Sequence, residues 1–140
     1  MLARLTPAQA KREAYNLSRI VPRLAQAYAR IKQLYILHFP NGPRPYMAEG
    51  YRPDEVQAWY YAQGRTRPGP IITWKKPGTS KHNCTPAKAF DVWFVSDDGE
   101  VDWTDRPYRD FAGLMAEEYP DIIWGGNFKT LKDLPHYEVA

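Results

Sequence analysis

Three features are scarce in this sequence: cysteine, long apolar runs and clustered basic residues. The single cysteine, Cys84, excludes a disulfide within the chain. No stretch approaches the roughly 20 consecutive apolar residues of a membrane-spanning helix, so we expect no membrane contact. The 19 Lys and Arg residues are scattered, which argues against a nucleic-acid partner. The net charge of +3 suits an anionic polymer of another kind.

The length and the apolar content are those of one domain with a sizeable core. The chain has 140 residues, of which 44% are hydrophobic and 14% aromatic. We therefore predict a single domain over residues 1–140, and we expect it to be a monomer. No apolar run of signal-peptide length follows the basic residues Arg4, Lys11 and Arg12, which favours synthesis as a cytoplasmic protein.

Two helices are predicted at the start of the chain. The segment Thr6–Gln9 has a Thr N-cap, a Pro at the first helical position and a Gln at the capping-box position. Apolar residues then recur at helical spacing over Leu17–Tyr35. Pro22 interrupts this run, and it either starts a second helix or kinks the first. Residues 1–45 are therefore expected to form a helical N-terminal part.

The remaining residues, 46–140, mix short strands with helices. Strands are predicted at Tyr46–Gly50, Ile71–Trp74, Ala89–Val95, Ile122–Trp124 and His136–Val139. Helices are predicted at Asp54–Gln63, which Gly64 ends, and at Pro107–Tyr119. This order of elements predicts an α+β fold around a small, mainly antiparallel sheet.

Two short segments contain the residue types of a metal site. His82 and Asp91 flank a loop within the segment SKHNCTPAKAFDVW, and His136 begins the last predicted strand. Asp91 lies in a hydrophobic strand, where a carboxylate is costly unless it is paired, exposed or bound to metal. Two imidazoles and one carboxylate, with one position left open, are the ligand set of a catalytic zinc ion. We therefore predict His82, Asp91 and His136 as Zn²⁺ ligands in the core formed by residues 46–140.

Simpler interpretations exist for these residues. Histidines in small proteins are commonly surface residues or hydrogen-bonded core residues, and both His82 and His136 could be of this kind. Cys84, two residues after His82, is either a further soft ligand or a small packing residue.

A second carboxylate precedes the last histidine by three residues. In a regular strand Asp133 and His136 would point to opposite faces. Pro135 breaks that regularity, so Asp133 can lie on the approach to the strand and reach the metal site. There it would act first as general base and then as general acid to a leaving amine.

Several motifs follow one another in a fixed order. The segments SKHNCTPAKAFDVW and WGGNFKTLKDLPHYE resemble the zinc-dependent peptidoglycan peptidases. This family contains D-Ala-D-Ala carboxypeptidases and L-alanyl-D-glutamate endopeptidases of the Hedgehog/DD-peptidase fold. Its pattern is Ser-x-His, Gly-x-Ala-x-Asp, Trp-Gly-Gly, and Asp or Glu-x-Pro-His. The matching residues here are Ser80, His82, Ala89, Asp91, Trp124, Gly125, Gly126, Asp133, Pro135 and His136.

The sequence also departs from the family pattern. Ala87 stands where the family has Gly, and the segment Asn83–Lys88 is two residues longer than the commonest form. Asn127 follows the Trp-Gly-Gly motif where many relatives have Asp, so we do not predict a catalytic carboxylate there. The three ligand positions and the later acidic position are kept.

The resemblance implies further residues at the site. The segment EGYR ends at Arg52, which would stabilise an oxyanion or bind a substrate carboxylate, unless it is a surface arginine at a helix start. Ser80 would hydrogen-bond the substrate backbone or orient its loop. Gln57 would be mainly structural and close to the site. Glu138 shares a strand face with His136, so it would support that ligand or be a solvated strand residue.

The resemblance also implies a function. The chain would be a zinc-dependent peptidoglycan peptidase acting on the stem peptide, with Asp133 as base and Arg52 as electrophilic partner. The expected activity is that of an L-alanyl-D-glutamate endopeptidase that serves as a bacteriophage endolysin and waits in the host cytoplasm until the membrane is permeabilised. The alternatives are a D-Ala-D-Ala carboxypeptidase or dipeptidase, and a non-catalytic cell-wall-binding protein of the same fold.

Overall fold

The structure, a computed structural model, describes residues 5–140. Within these residues the α-helices are α1 (Pro7–Leu17), α2 (Pro22–His38), α3 (Asp54–Ala62) and α4 (Asp105–Glu118). The strands are β1 (Arg44–Glu49), β2 (Ala89–Val95), β3 (Ile123–Trp124) and β4 (His136–Glu138), with a 3-10 turn at Gly125–Asn127. The predicted α+β class is confirmed. None of the helices described has the length and apolarity needed to span a lipid bilayer.

The helices begin at or near the predicted residues. The Thr6 hydroxyl accepts a hydrogen bond from Gln9 N at 3.1 Å, and Gln9 Oε1 accepts one from Thr6 N at 2.8 Å. This reciprocal capping box satisfies two amide groups that a helix start leaves without partners. Pro22 starts α2 and does not kink a continuous helix, because a first helical position needs no N–H group. Helix α4 begins at Asp105, two residues before the predicted start.

One face of the sheet carries the main core, and the opposite face carries a smaller apolar cluster together with the polar side chains of the site. Its strand order is β1-β2-β4-β3, and all neighbouring strands are antiparallel. In β2 the alternate residues Phe90, Val92 and Phe94 are fully buried against the helices. The aromatic rings that pack with them are Tyr28 and Tyr35 of α2, Phe111 of α4 and Tyr137 of β4. Asp91 and Trp93 therefore lie on the opposite face.

The strand predicted at Ile71–Trp74 is absent, and that prediction was wrong. Side chains, and not a neighbouring strand, bind the backbone carbonyls of this region. Gln57 Nε2 donates to the Lys75 carbonyl at 2.7 Å, and Arg65 Nη2 donates to the Thr73 carbonyl at 3.1 Å. Because these acceptors are already satisfied, the segment needs no sheet partner. It forms a loop that lines the cleft described below.

The packed face generates a stability prediction. Replacing Phe90 with Ala should lower the free energy of unfolding by about 3–5 kcal/mol, because the fully buried ring packs between Tyr28 and Tyr137. Urea denaturation followed by circular dichroism measures the change. Leu37→Ala is the matched control, since Leu37 is 73% exposed. It should change the free energy by less than about 0.5 kcal/mol. Similar effects of the two substitutions would contradict a core position for Phe90.

Candidate metal centre

Strand pairing places Asp91 beside His136. The two residues are direct partners in the β2–β4 ladder, and partners in an antiparallel pair project from the same face. Tyr137 points into the core, so His136 and Glu138 point the other way. Val92 N donates to the Pro135 carbonyl at 3.0 Å, so the pairing extends to the residue that precedes β4.

His82 reaches the same place from the loop that precedes β2. Arg52 N donates to the His82 carbonyl at 2.7 Å, and Asn83 Nδ2 donates to the Arg52 carbonyl at 2.9 Å. The Ser80 hydroxyl oxygen accepts a hydrogen bond from His82 N at 3.2 Å. Of the two roles predicted for Ser80, the structure shows contacts for the one that orients the loop.

Three potential ligand atoms form a nearly equilateral triangle. His82 Nε2 lies 3.2 Å from His136 Nδ1, which lies 3.2 Å from Asp91 Oδ1. The third side, between His82 Nε2 and Asp91 Oδ1, measures 3.5 Å. Atoms that lie about 2.0–2.2 Å from a tetrahedral zinc ion are separated by roughly 3.3–3.5 Å, so the triangle has the size of one tetrahedral face. These three residues can therefore hold a metal ion.

The other nitrogen of each imidazole has an acceptor. His82 Nδ1 lies 2.7 Å from the Gly50 carbonyl oxygen, and His136 Nε2 lies 2.8 Å from Glu138 Oε1. A proton on each of these nitrogens leaves the lone pair of the other nitrogen directed at the triangle. Lys81 Nζ lies 2.8 Å from the second Glu138 oxygen and holds that carboxylate in place. Glu138 thus contacts a candidate ligand, as the first of its two predicted roles requires.

Neighbouring charges and burial shift the pKa values of Asp91 and His136 in opposite directions. Burial alone would raise the pKa of Asp91, but the imidazoles of His82 and His136 lower it well below its usual range. Burial lowers the pKa of His136, but its hydrogen bonds to Asp91 and Glu138 raise it to about 10. In the metal-free protein His136 is therefore protonated near neutral pH, and its positive charge lies beside Asp91. A metal ion can bind here only when this proton is released.

Asp133 lies beside the triangle, on the approach to β4. Its Oδ2 is 3.9 Å from His136 Nδ1, and its side chain is 47% exposed. Asp133 N donates to the Gly125 carbonyl at 2.9 Å, which fixes the backbone of this approach. Partial burial and the nearby Asp91 carboxylate raise the pKa of Asp133 to about 6. An accessible carboxyl group with such a pKa can both accept and return a proton near neutral pH.

Arg52 is buried, so the alternative of a surface arginine is wrong. Its Nε donates to Glu49 Oε1 and its Nη1 donates to Gln57 Oε1, both at 2.7 Å. Its Nη2 lies 3.6 Å from Asp91 Oδ2, the oxygen outside the ligand triangle. The Tyr60 ring covers the guanidinium at 4.6 Å from the ring centroid. Gln57 is itself fully buried and is linked to the site by its hydrogen bond with Arg52.

The triangle and its neighbours line a cleft of about 810 Å³. Residues 72–75 and 79–81 form one part of the lining, and residues 128–131 form another. A cleft of this size accommodates several residues of a peptide. Cys84 is exposed, its thiol lies 3.3 Å from the Lys81 carbonyl oxygen, and it is not one of the converging ligand atoms.

Two charged residues at the site were missed by the sequence interpretation. Glu49 pairs with Asp91 across β1 and β2 because an irregularity after Met47 shifts the register, and alternation alone does not predict such a bulge. The spacing of Glu49 and Arg52, three residues apart, could have predicted their ion pair. No sequence pattern could have predicted the ion pair of Lys81, because its partner Glu138 lies in a distant strand.

Among known proteins, the chain resembles one peptidase in sequence and another in fold. No protein-family model matches it. It is 34% identical over 101 residues to the peptidoglycan L-alanyl-D-glutamate endopeptidase CwlK of Bacillus subtilis (strain 168), in a match that covers 66% of this chain and 59% of CwlK. The chain thus spans less than two thirds of that relative. The crystal structure of the Serratia marcescens L-Ala D-Glu endopeptidase ChiX has the same fold, with a TM-score of 0.62 at 24% identity, covering 92% of this chain and 86% of ChiX.

The close approach of Gly125 to the ligand loop generates one prediction. A Cβ atom at Gly125 would overlap the Asp133 carbonyl oxygen and lie 2.9 Å from His136 Cβ, so the Gly125→Ala variant must displace this loop. We expect zinc affinity, measured by competition with a chromophoric chelator, to fall by about 10–100-fold. The control is Gly113→Ala in α4, where an added Cβ meets nothing within 4 Å. It should keep the affinity and raise stability by about 0.5–1 kcal/mol. Unchanged zinc affinity in Gly125→Ala would contradict this close packing.

The contact between His136 and Glu138 generates a second prediction. Glu138→Ala removes the acceptor that orients the imidazole and should weaken zinc binding by about 10–100-fold. Glu138→Gln keeps an acceptor without the charge, so its affinity should lie between those of the wild type and the Ala variant. Glu117→Ala, at an exposed position of α4, should leave affinity unchanged. Wild-type affinity in Glu138→Ala, measured by the same competition, would exclude a supporting role for this carboxylate.

Proposed function

We propose that this chain, which is 34% identical over 101 residues to the endopeptidase CwlK, is a zinc peptidase that cleaves the L-alanyl-D-glutamate bond of the peptidoglycan stem peptide. The observation that carries the proposal is the triangle of His82 Nε2, Asp91 Oδ1 and His136 Nδ1 beside a peptide-sized cleft. Two imidazoles and one carboxylate fit zinc, and three protein ligands leave one position for water or substrate. The choice of bond follows the activity named for CwlK.

Proton transfer is the part of the reaction assigned to Asp133. When bound, zinc supplies a Lewis acid that polarises the scissile carbonyl and lowers the pKa of a water molecule at the open position. Asp133 takes the proton of the attacking water and returns it to the leaving amine. Its exposure to the cleft beside the triangle suits both steps. Asp133 Oδ2 lies 3.9 Å from His136 Nδ1, so this carboxylate lies next to the proposed reacting groups.

Arg52 is the proposed electrophilic partner. Glu49 and Gln57 accept from its Nε and Nη1, so both N–H groups of Nη2 are left for an oxyanion or a substrate carboxylate. These buried contacts hold the guanidinium in place before substrate arrives, which is the condition for electrostatic stabilisation of a transition state. Gln57 would position Arg52, as Ser80 positions His82 and Glu138 positions His136.

We propose that this cleavage serves the lysis of a bacterial host by a bacteriophage, the role that the resemblance to the zinc-dependent peptidoglycan peptidases implies. In this role the protein accumulates in the host cytoplasm and reaches peptidoglycan once the inner membrane is permeabilised. Host cells that express it should keep their turbidity until a permeabilising agent is added, and then lose it. Stable turbidity after permeabilisation, with a protein that cleaves purified peptidoglycan, would exclude the lysis role.

Digestion of purified peptidoglycan, with mass spectrometry of the fragments, tests the proposed activity. We expect new amine termini on glutamate, which a chelator abolishes and added Zn²⁺ restores. Release of terminal D-alanine instead would favour the D-Ala-D-Ala carboxypeptidase alternative. Intact peptidoglycan after treatment with folded, zinc-loaded protein would favour the non-catalytic wall-binding alternative.

The assignment of Asp133 has its own test. Asp133→Asn should lower kcat by about 10²–10⁴-fold, because the amide cannot accept the proton, while the zinc content of the protein stays the same. Turnover of a stem peptide and metal analysis of the same preparation measure the two quantities. Asp97→Asn, in an exposed turn, is the matched control and should leave both unchanged. A variant that loses its zinc would make Asp133 a ligand, and near-normal kcat would remove it from the proton transfer.

A further inference from the structure

We propose that Lys75 and Lys129, from two different loops of the cleft, bind free carboxylates of the substrate and so select stem peptides whose D-glutamate is not amidated. The inference rests on the proposed function. In an L-alanyl-D-glutamate bond the free α-carboxylate of D-glutamate is carried by the carbon atom that also carries the scissile nitrogen. A group that reads this carboxylate must therefore lie close to the metal centre.

The carboxylates of the cleft already have partners within the protein. These contacts join Glu49 to Arg52, Asp91 and Asp133 to His136, and Glu138 to both His136 and Lys81. By contrast, within residues 5–140 no Asp or Glu oxygen lies within 4.0 Å of the ammonium nitrogen of Lys75 or Lys129. Besides Nη2 of Arg52, these two lysines are thus the cationic groups of the cleft that are left for an external anion.

The overall charge of the cleft favours the same class of ligand. Four carboxylates line it, and four cationic side chains balance them. The cationic members are Arg52, Lys75, Lys81 and Lys129. Bound Zn²⁺ would therefore leave the cleft with a net positive charge, which attracts anionic peptides and raises their local concentration.

Both lysines are connected through the backbone to groups that contact the centre. The Lys75 carbonyl accepts a hydrogen bond from Gln57 Nε2 at 2.7 Å, and Gln57 in turn holds Arg52. Lys129 follows Phe128, whose ring centroid lies 5.6 Å from that of the His136 imidazole. The two side chains are exposed, so each ammonium can turn towards a bound peptide. The loops are anchored beside the centre while their charges remain accessible.

The free acid and the α-amide of one synthetic L-alanyl-γ-D-glutamyl peptide provide the comparison. Converting the carboxylate to an amide removes the charge that an ammonium group binds. We expect the zinc-loaded wild-type protein to cleave the free acid with a kcat/KM about tenfold above that of the amide. Because the lysines are exposed, this preference should decrease as the salt concentration rises.

Substitutions test whether the two lysines cause the preference for the free acid over the amide. Lys75→Met and Lys129→Met should each reduce it by about threefold, and the double variant should remove most of it. Arg at either position keeps the charge and should keep the preference. Lys76→Met is the matched control, because Lys76 is exposed and next to Lys75 but does not line the cleft. It removes the same overall charge and should leave the preference intact.

Calorimetry with the zinc-loaded Asp133→Asn variant measures the same contacts without turnover. Tighter binding of the free acid, lost when Lys75 and Lys129 are both replaced by Met, supports the inference. Equal affinities for acid and amide, or a preference that persists in the double variant, overturn it even if the peptide is cleaved. A lysine-dependent binding preference with no cleavage by the wild type would overturn the proposed function alone.

Discussion

The hydrogen-bonded register between β2 and β4 determines how Asp91 and His136, two of the three candidate ligands, lie relative to each other. It sets Asp91 opposite His136 on one face, and Phe90 opposite Tyr137 on the other. The two rings are fully buried and stack with centroids 5.3 Å apart. A slip of β4 by one residue would bring His136 to the core face and Tyr137 to the cleft face. The hydrophobic core therefore enforces the geometry of the polar site.

Buried contacts extend from this ladder to the edge of the cleft. The irregularity after Met47 brings Glu49 opposite Asp91, and Glu49 binds the guanidinium of Arg52. Arg52 then contacts both the outer oxygen of Asp91 and the amide of Gln57, which holds the cleft loop by a backbone carbonyl. Each buried charge in this series has a partner, as burial requires. Metal ligand, arginine and substrate loop are thus positioned by one connected set of hydrogen bonds.

The sequence predicted those features that depend on local chemistry or on the two-residue period of a strand. The capping box of α1 and the start of α2 at Pro22 are local, and the shared face of His136 and Glu138 follows from alternation. The features that it did not predict depend on distant partners. Apolar character at Ile71–Trp74 favoured a strand, but those residues line a cleft whose carbonyls are bound by side chains. The buried position of Arg52 depends on Glu49, which a bulge after Met47 brings opposite Asp91, and no sequence pattern predicted that bulge.

A crystal structure of the zinc-loaded protein, with anomalous scattering recorded at the zinc absorption edge, would locate the metal ion. We expect one strong peak at about 2.0–2.2 Å from His82 Nε2, Asp91 Oδ1 and His136 Nδ1, with the triangle of these atoms otherwise preserved. A peak bound elsewhere, for example at Cys84, or the lack of any peak among these three atoms would contradict this expectation.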